Sequence, residues 1–355
     1  MILDSSIIQK AYTWLRDKKP FVVFKTPENN ELCGIFQKDT TLHTDNTLLR
    51  PGYVFAPFDS RQKTILFPLE SSEFLTQTYE TNVPAYQFSE FHITSGDEDT
   101  ARPRHIELVR KAVTAMQAGS FQKVVLSRKE SVPVNEEPLS VFVRLCDTYP
   151  SAYVYVWFHP EVGIWMGATP ETLLHHKDGR LTTMSLAGTK LYRDSLEAVW
   201  GDKEKEEQHI VTSFICKNLE GRVTYLKKEG PFTIRAGNLL HLCTRIEGNC
   251  TVDKISGIVN ALHPTPAVCG MPREKAKTFI LANEPYNRSF YSGFTGMVTA
   301  KETRLFVNLR CMSLEDKEAT VYVGGGITRD SVPEQEWEET VNKTGTLKKV
   351  LLHHI

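Results

Sequence analysis

Two segments far apart in the chain each carry a pair of glutamates three residues apart. The first pair is Glu204 and Glu207, the second is Glu336 and Glu339, and Lys343 follows one turn after the second pair. Residues at this spacing share one face of a helix, so each segment can present two carboxylates to a common point. Converging carboxylates repel one another unless a cation lies between them, and hard oxygen ligands suit Mg²⁺. The spacing therefore indicates a Mg²⁺ site, with two charged, solvated helix faces as the alternative.

A lysine and a glutamate beside predicted strands are candidates for proton transfer. Lys123 begins the run KVVLSR, whose β-branched residues predict a strand. Burial disfavours a charged ammonium, so a lysine in such a strand can serve as a general base. A lysine that protects an exposed sheet edge is the alternative. Glu171 lies in the turn GATPE after another predicted strand, where a scaffold can hold one accessible carboxyl group.

A third set of residues could hold an anionic ligand. The small-residue segments LAGT at 186–189 and GGG at 324–326 offer backbone N–H groups, although either could be a simple tight turn. Arg310, on the predicted strand FVNLR, could form a bidentate pair with a carboxylate. Tyr291 adds a hydroxyl and Lys343 a point charge. Together these residues describe a site with Mg²⁺, carboxylate-binding donors, a lysine base and a carboxylic acid.

The composition is that of an ordinary globular protein. The 355 residues, 41% hydrophobic and 24% charged, can form one large domain or two small ones. A net charge of -1 gives no electrostatic support for nucleic-acid binding. The seven cysteines are odd in number and lack C-x-x-C spacing, so neither a disulfide framework nor a zinc site is expected, and a cytoplasmic location fits. No secretory signal and no apolar run near the roughly 18 residues of a membrane span is present, so no membrane contact is expected.

The apolar pattern predicts helices interleaved with hairpins, which favours an α+β fold. Helices are predicted at about 104–119, 139–149, 203–219, 272–283 and from 332 onward, the last with Ser331 and Glu334 as a capping box. Strands are predicted at 121–134, 152–158, 163–167, 181–186, 304–312 and 321–324. The polar segment 94–99 is a candidate boundary or surface loop. We therefore divide the chain into 1–100 and 101–355, expected to form one continuous domain.

The order of these motifs resembles the chorismate-utilising enzymes, the family of isochorismate synthase, salicylate synthase, anthranilate synthase component I and aminodeoxychorismate synthase component I. The matching segments are KVVLSR at 123–128, GATPETLL at 167–174, LAGT at 186–189, DKEKEEQHIV at 202–211, HL at 241–242, HPTPAVCG at 263–270, RSFYSGFTG at 288–296, NLR at 308–310 and GGGITRDSVPEQEWEETVNK at 324–343. The resemblance implies the fold of anthranilate synthase component I, with large antiparallel sheets packed as a sandwich and helices outside. Residues before about 100 carry no matching motif.

The resemblance also implies roles for individual residues. Glu207 and Glu339 resemble direct Mg²⁺ ligands, and Glu204 and Glu336 resemble the residues that hold metal-bound waters. The metal would bridge to the ring carboxylate of chorismate. The residues that resemble substrate-binding groups are Ala187, Gly188, Thr189, His241, Ala267, Tyr291, Arg310, Gly325 and Lys343. A buried structural histidine is the alternative for His241.

Two positions select a reaction within the family. Members that add ammonia have glutamine in place of Lys123, so the lysine indicates addition of water. Members that go on to eliminate pyruvate carry threonine in place of Ala267, so the alanine favours isochorismate synthase, with salicylate synthase as the alternative. Lys123 would deprotonate the water that attacks C2 of chorismate, and Glu171, kept protonated by burial, would protonate the departing C4 hydroxyl.

Two other functional classes are weaker interpretations. Retention of Lys123 and Glu171 counts against a chorismate-binding module without catalysis, and no P-loop or kinase motif supports phosphoryl transfer. Water as the nucleophile needs no amidotransferase subunit, and a monomer is expected. Whether isochorismate would feed menaquinone, a siderophore or salicylate depends on the enzymes that follow. GGG at 324–326 and Lys190 after Thr189 depart from the family pattern without removing a catalytic group.

Overall fold

The computed structural model describes residues 6–27, 30–80, 98–192, 195–236 and 239–352. The helices in these ranges are α1 (Ser6–Arg16), α2 (Glu98–Gln117), α3 (Pro138–Thr148), α4 (Asp202–Leu219), α5 (Ile255–Leu262), α6 (Arg273–Asn283) and α7 (Pro333–Leu351). The strands are β1 (Phe21–Lys25), β2 (Glu31–Gln37), β3 (Gly52–Ala56), β4 (Ile65–Pro68), β5 (Ser72–Thr78), β6 (Lys123–Pro133), β7 (Tyr153–His159), β8 (Gly163–Thr169), β9 (Thr172–Lys177), β10 (Arg180–Leu191), β11 (Leu226–Ala236), β12 (Leu239–Asn249), β13 (Gly270–Met271), β14 (Phe294–Val298), β15 (Glu302–Val307), β16 (Cys311–Glu315) and β17 (Glu318–Ile327).

The described strands form two antiparallel sheets. One has nine strands in the order β13-β6-β17-β16-β8-β7-β1-β2-β5, and the other has eight in the order β11-β12-β10-β9-β15-β14-β3-β4. The first 100 residues supply strands to both sheets. The predicted boundary at 94–99 lies outside the described residues except for its last two positions, which begin α2. No described helix has the length and apolar character needed to span a membrane.

The two sheets pack face to face through aromatic side chains. The hydroxyls of Tyr53 and Tyr153 share a hydrogen bond of 2.7 Å across this interior, and the ring of Phe55 lies 4.8 Å from that of Trp157. All five residues of β1 are buried, because one face meets this interior and the other meets helices. Helices α1, α3 and α7 cover the nine-stranded sheet, and α4 and α5 cover the eight-stranded sheet. The predicted α+β sandwich is confirmed.

The predicted strand at 304–312 is wrong, because the chain passes from one sheet to the other within it. β15 ends at Val307 in the eight-stranded sheet, and β16 begins at Cys311 in the nine-stranded sheet. Between them the buried Asn308 side chain donates to the Phe290 carbonyl at 2.9 Å and accepts from the Tyr155 hydroxyl at 2.7 Å. Arg310 adopts a left-handed backbone with φ of 47°. Arg310 therefore lies in a crossing between sheets and not on a strand.

A second crossing lies beside the first. The chain passes from β8 in the nine-stranded sheet to β9 in the eight-stranded sheet through Pro170 and Glu171. The Val307 N–H donates to the Glu171 carbonyl at 3.0 Å, and the Ala168 N–H donates to the Arg310 carbonyl at 3.1 Å. A Cβ on Gly167 would lie 2.9 Å from the Arg310 oxygen, so glycine allows this close approach. The two crossings fix each other by backbone hydrogen bonds.

Both small-residue segments lie within strands, so the alternative of a simple tight turn is wrong for each. β17 continues through Gly324, Gly325 and Gly326, and β10 continues past LAGT with a bulge between Ala187 and Lys190. Glycine is a weak strand former, which is why the sequence predicted a turn. A Cβ on Gly324 would lie 2.8 Å from the Leu126 carbonyl oxygen and 2.9 Å from the Tyr291 hydroxyl, so these two close approaches account for glycine at this position.

The last helix begins where it was predicted but without the predicted cap. α7 starts at Pro333, yet the Ser331 hydroxyl accepts a hydrogen bond from the Thr328 N–H at 3.0 Å. Glu334 pairs with Arg110 at 3.1 Å. The capping box is therefore wrong, because both side chains of the motif have other partners.

Buried charges hold α7 against β6. Arg128 donates to Glu130 at 2.9 Å and to the Thr340 hydroxyl at 2.8 Å, and its guanidinium lies 4.4 Å from the centre of the Trp337 ring. Lys348 of α7 also pairs with Glu130. This network fixes the helix that carries Glu336, Glu339 and Lys343.

Removal of Glu130 should destabilise the fold. Glu130→Ala is expected to lower the free energy of unfolding by about 3–5 kcal/mol, because Arg128 loses its buried counter-charge. Urea unfolding measures the loss. Glu334→Ala, which breaks an exposed pair between α7 and α2, is the matched control and should cost about 1 kcal/mol or less. Equal losses in the two variants would contradict the role given to the buried network.

Candidate active site

One cavity of about 170 Å³ lies between elements of both sheets and the helices α4 and α7. The predicted site residues in its wall are Lys123, Glu171, Ala187, Gly188, Thr189, Glu204, Glu207, His241, Ala267, Tyr291, Arg310, Glu339 and Lys343. Gly325 and Glu336 lie beside the wall: a Cβ on Gly325 would be 3.7 Å from Glu336 Oε2 and 3.8 Å from Glu339 Oε1. Segments that are distant in the chain thus meet at one place.

Glu171 is a buried carboxyl group held by the crossing between β8 and β9. Glu171 is only 3% exposed, and its backbone N–H donates to the Thr169 hydroxyl at 3.3 Å. Burial raises the pKa of Glu171 to about 8, against the opposing charges of Lys123 and Arg310. Glu171 therefore carries a proton at neutral pH and can act as an acid.

Lys123 is a buried lysine of the cavity wall. It is 2% exposed, and β6 is flanked by β13 and β17, so the alternative of an edge-protecting lysine is excluded. A Cβ on Gly326 would lie 3.5 Å from Lys123 Nζ and 3.3 Å from Glu207 Oε1. The absence of a side chain at Gly326 leaves the space into which the amine and this carboxylate project.

His241 connects the bulge of β10 to Arg310. Its Nδ1 lies 3.0 Å from the Gly188 carbonyl, and its Nε2 lies 2.9 Å from Arg310 Nη2. A carbonyl only accepts and a guanidinium only donates, so the neutral ring carries its hydrogen on Nδ1. Burial and then the charge of Arg310 lower the pKa of His241 to about 3. His241 is thus a buried histidine of the cavity wall that orients Arg310.

Two further polar groups face the cavity near Gly324. Lys343 Nζ donates to the Gly324 carbonyl at 3.1 Å and to Glu339 Oε1 at 2.6 Å. Tyr291 is buried, and its ring stacks on Tyr322 with centroids 5.6 Å apart, which places its hydroxyl against Gly324. With Arg310, these residues supply two cations and a hydroxyl to the same cavity.

The register of β17 shows which glycine amides face the cavity. The Ser127 N–H donates to Glu284, and the Val125 N–H donates to the Cys269 carbonyl, so both point away from β17. Hydrogen-bonded and non-hydrogen-bonded pairs alternate along an antiparallel ladder, so the backbone groups of Leu126 are the ones that bond to β17. The partner of Leu126 is Gly325. The N–H groups of Gly324 and Gly326 consequently point to the cavity side. This geometry favours their amides over that of Gly325 for contact with a ligand.

Three of the four predicted acidic side chains surround one ammonium. Lys203 Nζ lies 3.0 Å from Glu336 Oε1. Burial alone would lower the pKa of Lys203, but the carboxylates of Glu336, Glu207 and Glu339 raise it. Sequence reasoning missed Lys203, although its spacing of four residues from Glu207 places both on one helix face. The acidic cluster holds a cation supplied by the chain itself.

Glu204 is turned towards its own helix. Its Oε2 accepts a hydrogen bond from the Gly201 N–H at 2.8 Å, which satisfies an amide at the start of α4. Within the described ranges, no three His, Cys, Asp or Glu side chains have the close spacing of a formed metal site. In this structure, therefore, Glu204 serves as a helix cap.

The acidic cluster nevertheless has the chemistry of a divalent-cation site. Glu336 Oε2 is buried and makes no hydrogen bond with any described group. Burial raises the pKa of Glu336, and the Ser331 hydroxyl and Lys203 offset this only in part. Burial would also raise the pKa of Glu339, but Lys343 and Lys203 lower it. An unsatisfied buried oxygen among carboxylates fits a hard cation such as Mg²⁺.

Comparison with known proteins identifies the family. Residues 48–352 match the family described as chorismate binding enzyme. The chain belongs to the chorismate-binding enzymes. The solved structure of MenF, the menaquinone-specific isochorismate synthase of Escherichia coli, has a TM-score of 0.78 to this chorismate-binding enzyme and is 23% identical, covering 96% of this chain and 91% of that one. At this identity the likeness shows the fold.

Curated relatives carry two different names at similar identity. Isochorismate synthase MenF of Escherichia coli K12 is 31% identical over 259 residues, 69% of this chain and 59% of that protein. Anthranilate synthase component 1 of Bacillus pumilus is 29% identical over 283 residues, 73% of this chain and 52% of that protein. Isochorismate synthase EntC of Escherichia coli K12 is 28% identical over 314 residues, which are 84% of this chain and 80% of that protein. The chain spans little more than half the length of the first two, so the reaction has to be argued from the cavity.

Because burial raises the pKa of Glu171, its contribution to the free energy of unfolding should fall as pH rises from 4.5 to about 8. The unfolded chain ionises this carboxyl near its ordinary pKa of 4.5, whereas the folded chain keeps the proton until about pH 8. Between these values the folded state binds more protons, so the stabilisation present below pH 4.5 is lost by about pH 8. Glu171→Gln cannot ionise and should lose less stability over this window. Urea unfolding of both proteins across it is the measurement, and parallel curves would contradict the prediction.

Proposed function

We propose that this protein is an isochorismate synthase, an isomerase that interconverts chorismate and isochorismate with the help of Mg²⁺. One observation carries the proposal: a single cavity contains the buried amine of Lys123 and the buried carboxyl group of Glu171, whose pKa burial raises. Arg310 and Lys343 in the same cavity suit a substrate with two carboxylates. Membership of the chorismate-binding enzymes and the names of relatives such as MenF and EntC support it.

The reaction needs one proton removed and one proton supplied. Lys123 takes a proton from water as the water oxygen bonds to C2 of chorismate. Glu171 gives its proton to the C4 hydroxyl, which leaves as water while the double bonds shift. One water is added and one is lost, so the product is an isomer of the substrate. Each acid or base role is worth about 10²- to 10⁴-fold in rate.

The substrate carboxylates would be held by cations and by strand amides. Arg310, Lys343 and the Tyr291 hydroxyl are the side-chain donors, and the amides of Gly188, Gly324 and Gly326 add backbone donors. His241 keeps Arg310 in place through the bond between Nε2 and Nη2 of 2.9 Å. Ala187 and Thr189 flank Gly188 in the wall. These groups bind and orient the ring between Lys123 and Glu171.

Mg²⁺ would be held at the acidic cluster. Glu207 and Glu339 are proposed as direct ligands, and Glu336, with Glu204 after rotation from its cap, as partners of metal-bound waters. Lys203 and Lys343 now contact Glu336 Oε1 and Glu339 Oε1, so a bound metal would share these carboxylates with the two ammonium groups. When bound, Mg²⁺ neutralises and orients a substrate carboxylate beside the reacting diene.

Two residues select isochorismate synthase among the family's reactions. Lys123 supplies the base that water requires, and no amidotransferase subunit is needed because ammonia is not the nucleophile. Ala267 lies at the cavity wall, packed against apolar residues, and offers no hydroxyl for a further elimination step. We therefore expect release of isochorismate and not its conversion to salicylate and pyruvate.

The direct test is incubation with chorismate, with and without Mg²⁺, followed by chromatography. Isochorismate that an added isochorismatase consumes is the expected product, and chelation of the metal should stop its formation. Lys123→Met and Glu171→Gln should each lower kcat by about 10²- to 10⁴-fold with little change in KM, because both act in proton transfer.

The matched control is Lys129→Met, which changes an exposed lysine of the same strand and should leave kcat unchanged. Stoichiometric pyruvate from chorismate would replace the proposal with salicylate synthase. Near-normal kcat in Lys123→Met or Glu171→Gln would overturn the assigned roles.

A further inference from the structure

A second cavity of about 210 Å³ shares a wall with the first. The segment HPTPAVCG at 263–270 separates them, since His263 and Pro264 line the second cavity whereas Ala267 and Val268 line the first. The second cavity has a mixed lining. Leu48, Ala56 and Phe294 are apolar, whereas His263, Arg273, Glu274 and Lys277 are polar or charged. Nothing in the proposed reaction uses these residues.

His263 is a buried polar group without a hydrogen-bond partner. It is 7% exposed, and neither ring nitrogen makes a hydrogen bond with any described group, although the Pro57 and Phe58 carbonyls lie near the ring. Burial, then the charges of Lys277 and Arg273, lower the pKa of His263 to about 3. The ring is therefore neutral and has one N–H to donate. Buried donors are rarely left unsatisfied, because the cost is about 1–3 kcal/mol.

Positive charge is in excess around this cavity. The buried Asp59 is shared by two cations, Lys277 at 3.0 Å and Arg61 at 2.6 Å. Arg273, the first residue of α6, pairs only with Glu274 at 3.3 Å among the ion pairs of the described residues, and the Glu274 side chain is mostly exposed. Three cations thus meet two carboxylates, the buried Asp59 and the exposed Glu274, which also lines the cavity. One positive charge is left over, and an anion in the cavity would balance it.

We propose that the second cavity binds a small organic carboxylate. Its carboxylate would accept hydrogen bonds from Lys277, Arg273 and the His263 N–H. Its apolar body would pack against Leu48 and the Phe294 ring, whose centre lies 5.0 Å from that of His263. A bare inorganic anion would leave Leu48, Ala56 and Phe294 without a contact, which is why the ligand is assigned an organic body. The site is independent of the reaction proposed for the first cavity.

The test uses 4-fluorobenzoate as the probe and ¹⁹F NMR titration as the measurement. The wild-type protein should bind the probe saturably. Lys277→Met should weaken binding about tenfold, because one charge-assisted hydrogen bond is lost. Lys275→Met is the matched control: this lysine lies on the exposed side of α6, two residues away, and its loss should leave binding unchanged. Asp59 retains Arg61 in the Lys277→Met variant, which preserves its buried ion pair.

A second comparison separates the two cavities. Arg310 lines the first cavity and not the second, so Arg310→Met should still bind the probe with the affinity of the wild-type protein. Loss of probe binding in Arg310→Met but not in Lys277→Met would place the probe in the first cavity and overturn the proposal. If Lys277→Met does not fold, a wild-type crystal with 4-bromobenzoate should show an anomalous peak beside Phe294. Absence of that peak, or of saturable binding, overturns the proposal equally.

Discussion

The site depends on two chain crossings that fix each other between the sheets. One crossing carries Glu171 and the other carries Arg310, and backbone hydrogen bonds of 3.0 Å and 3.1 Å join them. Because the crossings lie at the interior of the sandwich, the Glu171 carboxyl group is removed from water, and its pKa rises to about 8. Lys123, on β6 between β13 and β17 of the nine-stranded sheet, is also buried. Glu171 and Lys123 thus lie in one cavity, beside the two places where the chain crosses from one sheet to the other.

Charge balance is the second constraint on the cavity. Carboxylates of Glu207, Glu336 and Glu339 gather at one side, and in this structure the ammonium groups of Lys203 and Lys343 compensate them. The cluster can therefore form before a metal arrives, and a divalent cation would compete with side chains of the protein for the same oxygens. The buried network around Arg128 and Glu130 holds α7, the helix that carries Glu336, Glu339 and Lys343.

Periodicity in the sequence located the residues on helices and long strands. The glutamate pairs, Lys123 and Glu171 were found because helix spacing, a β-branched run and a turn after a strand are local signals. Local signals failed at Arg310, where the apolar alternation continues through Leu309 and Cys311 although the chain changes sheets. At Glu204 they were incomplete, since spacing shows which helix face a carboxylate occupies but not that, in this structure, it caps the first turn.

The glycines at 324–326 are a second case in which the local sequence did not predict the structure. Their composition suggested a loop, yet β17 continues because the Tyr291 hydroxyl, Lys123 and the carboxylates occupy the space that side chains would need. Long-range contacts of this kind are not visible in a single sequence. They decide which amides face the cavity and hence which atoms can bind the substrate.

The central claim is that Lys123 adds solvent water at C2 while Glu171 releases the C4 hydroxyl. Reaction of chorismate in H₂¹⁸O, with mass spectrometry of the isochorismate formed, tests it most directly. The account predicts one solvent oxygen, located at the C2 hydroxyl of the product. Isochorismate without the label would show that the original hydroxyl migrates within the substrate, and would contradict the account.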